Sequence, residues 1–592
     1  MGYMNKILRI NLTKNAITEE KLDEKIARNF IGGRGLGARI ISDEVDPKTD
    51  ALSENNKLVF LAGPLTGTKA PTSGRFCASF KSPLTGTIAD SQAGGAWGPW
   101  LKKAGYDAAI IEGKAEAPQY LLISDDGCEL HDANGLWGKG TKETCATLEK
   151  THNGKALAIG QAGEKLSLIS SVIVNGHRAL GRAGIGAVMG SKNLKAVVAK
   201  GNQKIPIANE EKFERAVFEA NALIKEKGVT GEALPGRGTT VLVHVINMNG
   251  IFPVKNFQRS QWPHDTAEKI SGEIIKEQYA SRRQGCYGCP IVCGHMVKFP
   301  DGKEFKSPEF ETDWAFGADC DNSDFRTIAE AGELCDDYGI DTISTGATIA
   351  AAMELEEKGK IHSDLKWGDG DAIIKAVHMI GKGEGIGKDL AQGSKRFCSK
   401  YGAPELSMSV KGLELPAYDP RGAQGHGLAY ATSNRGGCHL RGYMISPEIL
   451  GTPKELINRF STLDKARWTI DMQDWTAFID SLVLCQFTMF STGTDNYADM
   501  YSAATGFECD TSDIMRTGAR IWNLERMYNL NAGLKKEDDT LPSRLLKEGA
   551  ANGPAKGQVV KLKTMLNEYY SLRGWTKEGV PEEWKLKEYG LK

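Results

Sequence analysis

Over roughly the first 207 residues, short apolar runs at 58–62, 108–111, 120–123, 156–159 and 196–198 punctuate a glycine-rich text. Runs of that length bounded by turn residues predict buried strands. From about residue 208 the period lengthens, with apolar positions three and four apart and charged faces between them over 210–227, 325–338, 343–358 and 371–380. That spacing predicts amphipathic helices. A stretch containing glycine and proline at 411–427 separates this block from a further helical segment, and 535–557 reads as a charged loop. The expected fold class is α+β: an N-terminal β-rich cofactor-binding base over 1–208, then two predominantly α-helical domains over 209–408 and 409–592. GPLTGT at Gly63 and SPLTGT at Ser82 form a local echo, but no repeat of solenoid length is present.

At 592 residues the chain exceeds the size at which single cores stop growing, so two to four domains are expected. Lys and Arg total 74 against 75 for Asp and Glu, which leaves no net field for nucleic acid or an anionic membrane and favours a small-molecule substrate. The opening MGYMNKILRINL is interrupted by Lys6 and Arg9, unlike a signal peptide or anchor. No later run approaches the ~18 apolar residues of a spanning helix, so a cytoplasmic location is expected. In that compartment thiols stay reduced, and the 12 cysteines point to metal ligation rather than disulfides.

Three cysteines cluster as Cys286-Tyr-Gly-Cys289-Pro-Ile-Val-Cys293. A [4Fe–4S] cluster takes four thiolates, so this C-x2-C-x3-C run needs one distant partner. Zinc is the rival, since C-x2-C hooks also serve tetrahedral sites and His295 lies two residues beyond. Ordinary packed cysteines are the third reading, while radical enzymes using S-adenosylmethionine are disfavoured by their C-x3-C-x2-C order. The spacing alone leaves cluster, zinc and packing open.

Further motifs are Thr72-Ser-Gly-Arg75-Phe, Ala93-Gly94-Gly95, Arg178-Ala-Leu-Gly-Arg182-Ala183-Gly184, Asp336-Asp-Tyr-Gly339-Ile340-Asp341 and Asp480-Ser-Leu-Val-Leu484-Cys485. With these, from KILRINLT near the start to YYSLRGW around Tyr569, the chain resembles the tungsten-containing aldehyde ferredoxin oxidoreductase family. The resemblance implies that Cys485, closing the D-x-x-G-L-C motif, is the fourth cluster ligand. Val483 departs from that motif where the family has glycine. Asp336, Gly339, Ile340, Asp341, Asp480 and Leu484 would then hold two pterins, short carboxylates suiting the pterin N–H donors. Arg75 and Arg182 would contact the pterin phosphates through bidentate bonds. Ala93, Gly94, Gly95, Ala183 and Gly184 would face the cofactor with their backbone, where glycine permits close approach. Glu311, in Pro308-Glu-Phe-Glu311-Thr, would lie beside the metal, and His439, in Asn434-Arg-Gly-Gly-Cys-His439-Leu-Arg, in the substrate pocket. Both can exchange protons.

Taken singly, these residues have blander readings. The aspartates suit helix ends and turns, the arginines solvated loops, Glu311 a cap, and His439 a hydrogen-bonded structural role. The segment Glu330-Ala-Gly-Glu333 lacks the histidine of the family's bridging-metal motif E-x-x-H, so that metal is not carried over. The run Gly33-Arg-Gly35-Leu-Gly37 has no strand–turn–helix context, which disfavours NAD.

The resemblance implies a reversible oxidoreductase for aldehydes and carboxylic acids. Its cofactors would be a tungsten bis-pterin, with magnesium bridging the phosphates, and one [4Fe–4S] cluster. Ferredoxin would be the electron partner, with room for an accessory iron–sulfur subunit and none for nucleic acid or membrane. The alternatives are a related enzyme for a sugar aldehyde or aromatic acyl thioester, an iron–sulfur electron-transfer subunit, and a zinc-stabilised binding protein.

Overall fold

The computed structural model describes residues 1–452 and 455–592. The five apolar runs are strands, observed at Leu58–Leu61, Ala108–Glu112, Gln119–Ser124, Lys155–Ala158 and Leu194–Ala199. They fall into two six-stranded sheets. The first runs in the order Ala16–Lys21, Lys6–Asn11, Ala108–Glu112, Leu58–Leu61, Phe76–Lys81, Ile88–Ala93. The second runs Arg178–Leu180, Val172–Val174, Lys155–Ala158, Leu194–Ala199, Gln119–Ser124, Gly127–Asp132. Each sheet contains one parallel pair, Lys6–Asn11 with Ala108–Glu112 and Leu194–Ala199 with Gln119–Ser124. One core joins the sheets through Leu8, Phe60, Phe76, Phe80, Leu121, Leu157 and Val197. Trp97 lies fully buried in it and donates its indole N–H to the Val197 carbonyl at 3.0 Å.

The echoed turns have structural roles. Ser82–Thr87 closes the hairpin between Phe76–Lys81 and Ile88–Ala93, and the Ser82 hydroxyl donates to the Ala183 carbonyl at 2.8 Å. At the other turn, a Cβ on Gly63 would lie 2.2 Å from the Leu482 carbonyl oxygen, so only glycine admits the helix end packed there. Gly33 opens the helix Gly33–Glu44, which follows another helix rather than a strand, so the glycine run lies outside any dinucleotide-binding turn.

The helical periods appear as Glu210–Glu226, Phe325–Tyr338, Thr342–Glu357 and Gly370–Lys382. Asn209, Asp324, Asp341 and Asp369 cap these helices by accepting backbone N–H groups of the first turn. The helix Lys465–Leu482 is the axis of the remainder, buried along nearly its whole length and packed on Thr511–Asn531, Gly33–Glu44, Gln424–Thr432 and Leu562–Arg573. It delivers Asp480 and, three residues past its end, Cys485 to the N-terminal sheets. No helix among the described residues is long and apolar enough to cross a membrane.

Candidate active site

The three clustered cysteines occupy a loop between two antiparallel strands, Ala280–Arg283 and His295–Lys298. The Gln284 N–H closes its base by donating to the Gly294 carbonyl at 2.8 Å, and left-handed backbone at Gly288 and Val292 turns the chain. Two backbone bonds dock the loop on the N-terminal base: the Tyr287 N–H donates to Gly95 at 3.0 Å, and the Thr72 N–H to Gly288 at 3.2 Å. Thr72 also receives the Cys485 N–H on its hydroxyl at 3.0 Å, so one residue ties the loop to the distant cysteine. A Cβ on Gly94 would fall 2.5 Å from the Cys286 sulfur, which explains glycine there. All twelve cysteines are free thiols.

Burial pushes the Cys289 thiol up to about 11, with Cys485 and Cys286 adding to the rise. Burial also raises Cys293 and Cys485, the latter eased by the Arg75 guanidinium. Buried thiols of this kind need a cation to become thiolates, which a metal supplies directly. Among the described residues, no three His, Cys, Asp or Glu side chains converge tightly enough to hold a single ion.

Beside Cys485 lies a buried ionic network that spacing could not reveal. Asp480 pairs with Arg441 and, at 3.3 Å, with Arg34, while its other oxygen accepts from Gln486 at 2.9 Å. Arg441 also holds Asp90 at 2.6 Å, and Arg34 holds Glu525 at 2.8 Å. Burial alone would raise the Asp90 carboxyl, but Arg441, Arg34 and Arg435 outweigh it and keep the group ionised. Asp336 pairs with Lys306 at 3.2 Å. Asp341 caps its helix through the Ser344 N–H at 3.0 Å and pairs with the Arg182 Nε at 3.3 Å. The remaining Arg182 donors reach the Gly437 and Glu414 carbonyls at 2.9 and 2.7 Å.

The cofactor-facing expectations thus fall around one interior. Gly95, Ala183, Gly184 and Gly339 all take left-handed backbone. Ala93 ends a buried strand, Ile340 follows Gly339 in the turn that leads to Asp341, and Leu484 is buried one residue before Cys485. Arg75 keeps a buried Nε–H without a partner, as do Arg178 and Arg435. Leftover cationic donors beside glycine-lined backbone suit an anionic cofactor.

A cavity of about 330 Å³ opens next to this interior. Its walls are largely aliphatic and aromatic, including Val229, Leu234, Leu242, Phe310, Leu450, Phe487 and Phe490, and among the described residues no Lys or Arg lines it. Its polar members include Glu311, His439, Tyr418 and Tyr443. The Glu311 Oε1 faces the His439 Nε2 at 3.5 Å, and its Oε2 accepts the Ala417 N–H at 3.0 Å. Burial pushes the Glu311 carboxyl up to about 8, against smaller pulls from the Ala417 N–H and Arg182. Burial, reinforced by Arg182, drives His439 well below its ordinary value. At neutral pH the pair is therefore a carboxylic acid facing a neutral imidazole rather than an ion pair. Tyr418 and Tyr443 meet hydroxyl to hydroxyl at 3.0 Å and place their rings 5.6 and 6.1 Å from the imidazole. Neither tyrosine stands out in sequence, although Tyr443 follows His439 by four residues.

The family model described as aldehyde ferredoxin oxidoreductase, N-terminal domain, matches residues 7–201, and that described as domains 2 and 3 matches 215–591. Tungsten-containing aldehyde ferredoxin oxidoreductases of Pyrococcus furiosus and Thermococcus kodakarensis are 48% and 47% identical to the chain, over 100% of it and 99% of their own lengths. Among solved structures, the active-site complex of benzoyl coenzyme A reductase with a bound 1,5-dienoyl coenzyme A superposes with a TM-score of 0.84 at 25% identity. It covers 100% of this chain and 97% of its own.

Proposed function

The chain belongs to the aldehyde ferredoxin oxidoreductase family, and from that premise we propose that it interconverts aldehydes and carboxylic acids, exchanging electrons with ferredoxin. The observation that carries this reading is the Glu311–His439 pair, 3.5 Å apart in the wall of an apolar cavity beside the cysteine-bearing interior.

In the oxidising direction the carbonyl carbon gains one water oxygen and loses two electrons, and three protons leave as the carboxylate forms. A tungsten bis-pterin, when bound, would supply a two-electron acceptor, and a [4Fe–4S] cluster a one-electron relay to ferredoxin. Cys286, Cys289, Cys293 and Cys485 would hold the cluster. Arg75, Arg182 and the backbone at Ala93, Gly94, Gly95, Ala183 and Gly184 would take the pterin phosphates, together with any magnesium that offsets their charge. Asp336 with Gly339, Ile340 and Asp341, and Asp480 with Leu484, would meet the two pterin rings.

Glu311 exchanges the proton at the reacting oxygen, and the neutral His439 facing it orients the substrate oxygen. The phenols of Tyr418 and Tyr443 stay protonated, because burial raises both, and they seal the wall behind the histidine. The apolar lining holds the substrate's R group and excludes water. The cavity's largely aliphatic and aromatic walls suit an apolar aldehyde.

Ferredoxin would dock where Gly285, Gly288 and Pro290 expose the cysteine loop. The cytoplasm, with its reduced thiols, suits this chemistry. Elemental mass spectrometry on anaerobically purified protein tests the cofactor assignment, with about four iron and one tungsten expected per chain. Zinc alone, or iron without tungsten from cells supplied with tungstate, contradicts it.

A further inference from the structure

Arg178 has no role in the proposed chemistry, yet it stands where three parts of the site meet. Its Nη2 donates to the Gln284 carbonyl at 3.0 Å, two residues before Cys286. Its Nη1 pairs with the Glu309 Oε1 at 3.2 Å, and its side chain is only 13% exposed. The other Glu309 oxygen accepts the Thr239 hydroxyl at 2.8 Å, and that hydroxyl in turn accepts the Phe310 N–H at 2.8 Å. Phe310 opens the helix Phe310–Phe316, which carries Glu311. A hydrogen-bonded chain therefore runs from the cysteine loop through Arg178, Glu309 and Thr239 to the cavity wall. Packing supports it on both sides: a Cβ on Gly294 would meet the Arg178 Nη2 at 2.5 Å, and one on Gly238, beside Thr239, would meet the Cys293 carbonyl at 3.1 Å.

The third donor, Nε–H, is buried and has no partner. A permanent cation with a spare donor against both ends of the cysteine loop, at Gln284 and Gly294, stabilises added negative charge there, because nearby charge and hydrogen bonds set the potentials of iron–sulfur groups.

We propose that Arg178 is a positioning residue that raises the reduction potential of the group held by the four cysteines, and that Glu309 is its opposing charge. The inference rests on the reading that those cysteines bind an iron–sulfur cluster, so the iron content of the wild-type protein is measured first. Absence of iron there overturns that reading and the inference with it.

With iron present, potentiometric titration followed by electron paramagnetic resonance is run on wild type, Arg178→Gln, Arg178→Lys and Glu309→Gln. Arg178→Gln is expected to move the midpoint to more negative potential and Glu309→Gln to more positive potential, with Arg178→Lys between Arg178→Gln and wild type. Glu309→Gln leaves the arginine in place and keeps the test open if Arg178→Gln loses its iron. Midpoints equal to wild type in the iron-replete variants, or shifts of the opposite sign, overturn the proposal.

Discussion

Glu311 concentrates the chemistry in one carboxyl whose behaviour is set by burial. Glu311→Gln keeps the shape and the Ala417 contact while removing proton exchange. Turnover should fall by at least about 10²-fold with iron and tungsten retained, and undiminished turnover would remove Glu311 from the mechanism. Aldehyde oxidation needs the ionised carboxylate as acceptor, so kcat/KM should rise as pH passes through about 8, a limb that the Gln variant lacks. The same shift has a cost in the metal-free protein. Between the ordinary carboxyl value of 4.5 and about 8 the folded state keeps a proton that the unfolded state has released, so stability falls as pH rises across that window. The loss is roughly 5 kcal/mol when complete, and denaturant midpoints at pH 5 and pH 9 should converge in Glu311→Gln. Glu311 and His439 could be named from their motifs. Tyr418 and Tyr443 could not, because a phenol in a pocket and a phenol in a core share one pattern. Arg34 was hidden for another reason: its partner Glu525 lies 491 residues away.

At the scale of elements, both aspartate motifs are helix ends. Phe325–Tyr338 closes on Gly339 at φ 69°, and Lys465–Leu482 closes on Val483 at φ 63°. The departure from glycine at Val483 therefore leaves the left-handed C-terminal turn intact. A β-branched residue there carries strain of about 1–2 kcal/mol, while burial of its side chain contributes roughly 1.5–3 kcal/mol. These terms oppose, so Val483→Gly should change stability by no more than about 1–2 kcal/mol, which equilibrium unfolding can check. A larger loss would mean that the valine packs on Gly33 and Gly63 more tightly than its burial suggests. Cys485 sits just past that turn, and Cys485→Ala should lose cluster iron while the fold stays intact by circular dichroism; full iron occupancy would refute its role as ligand. The apolar runs and helical periods were legible because their faces are uniform. Ile88–Ala93 was not, because this buried strand carries Asp90, Ser91 and Gln92, and Asp90 and Gln92 enter or border the ionic network at Asp480. A polar strand reads as a loop until its charged partners are known.

Across the whole molecule, the near balance of 74 basic and 75 acidic residues hides a site assembled by local charge. Arg34, Arg435 and Arg441 meet Asp90, Asp480 and Glu525 in one buried network drawn from the N-terminal sheets and the C-terminal helices. We propose divisions near residues 208 and 409. The strands of both large sheets end by Ala199, while one apolar core runs to Trp575 through the helical remainder and reaches back to Leu84, Ala162, Leu168 and Ile169 of the base. The class of fold was legible in the change of period, but the meeting of Cys485 with the loop at Cys286 was not. Nothing local joins positions 199 residues apart; that expectation came from family resemblance, and Thr72 links them through space. The most direct test of the account is anaerobic incubation of the purified holoenzyme with an apolar aldehyde and oxidised ferredoxin, following ferredoxin bleaching and carboxylate formation together. The account predicts two ferredoxins reduced per carboxylate formed, if each carries one electron, and no reduction without aldehyde. Absence of aldehyde-dependent reduction by protein loaded with both iron and tungsten would contradict it.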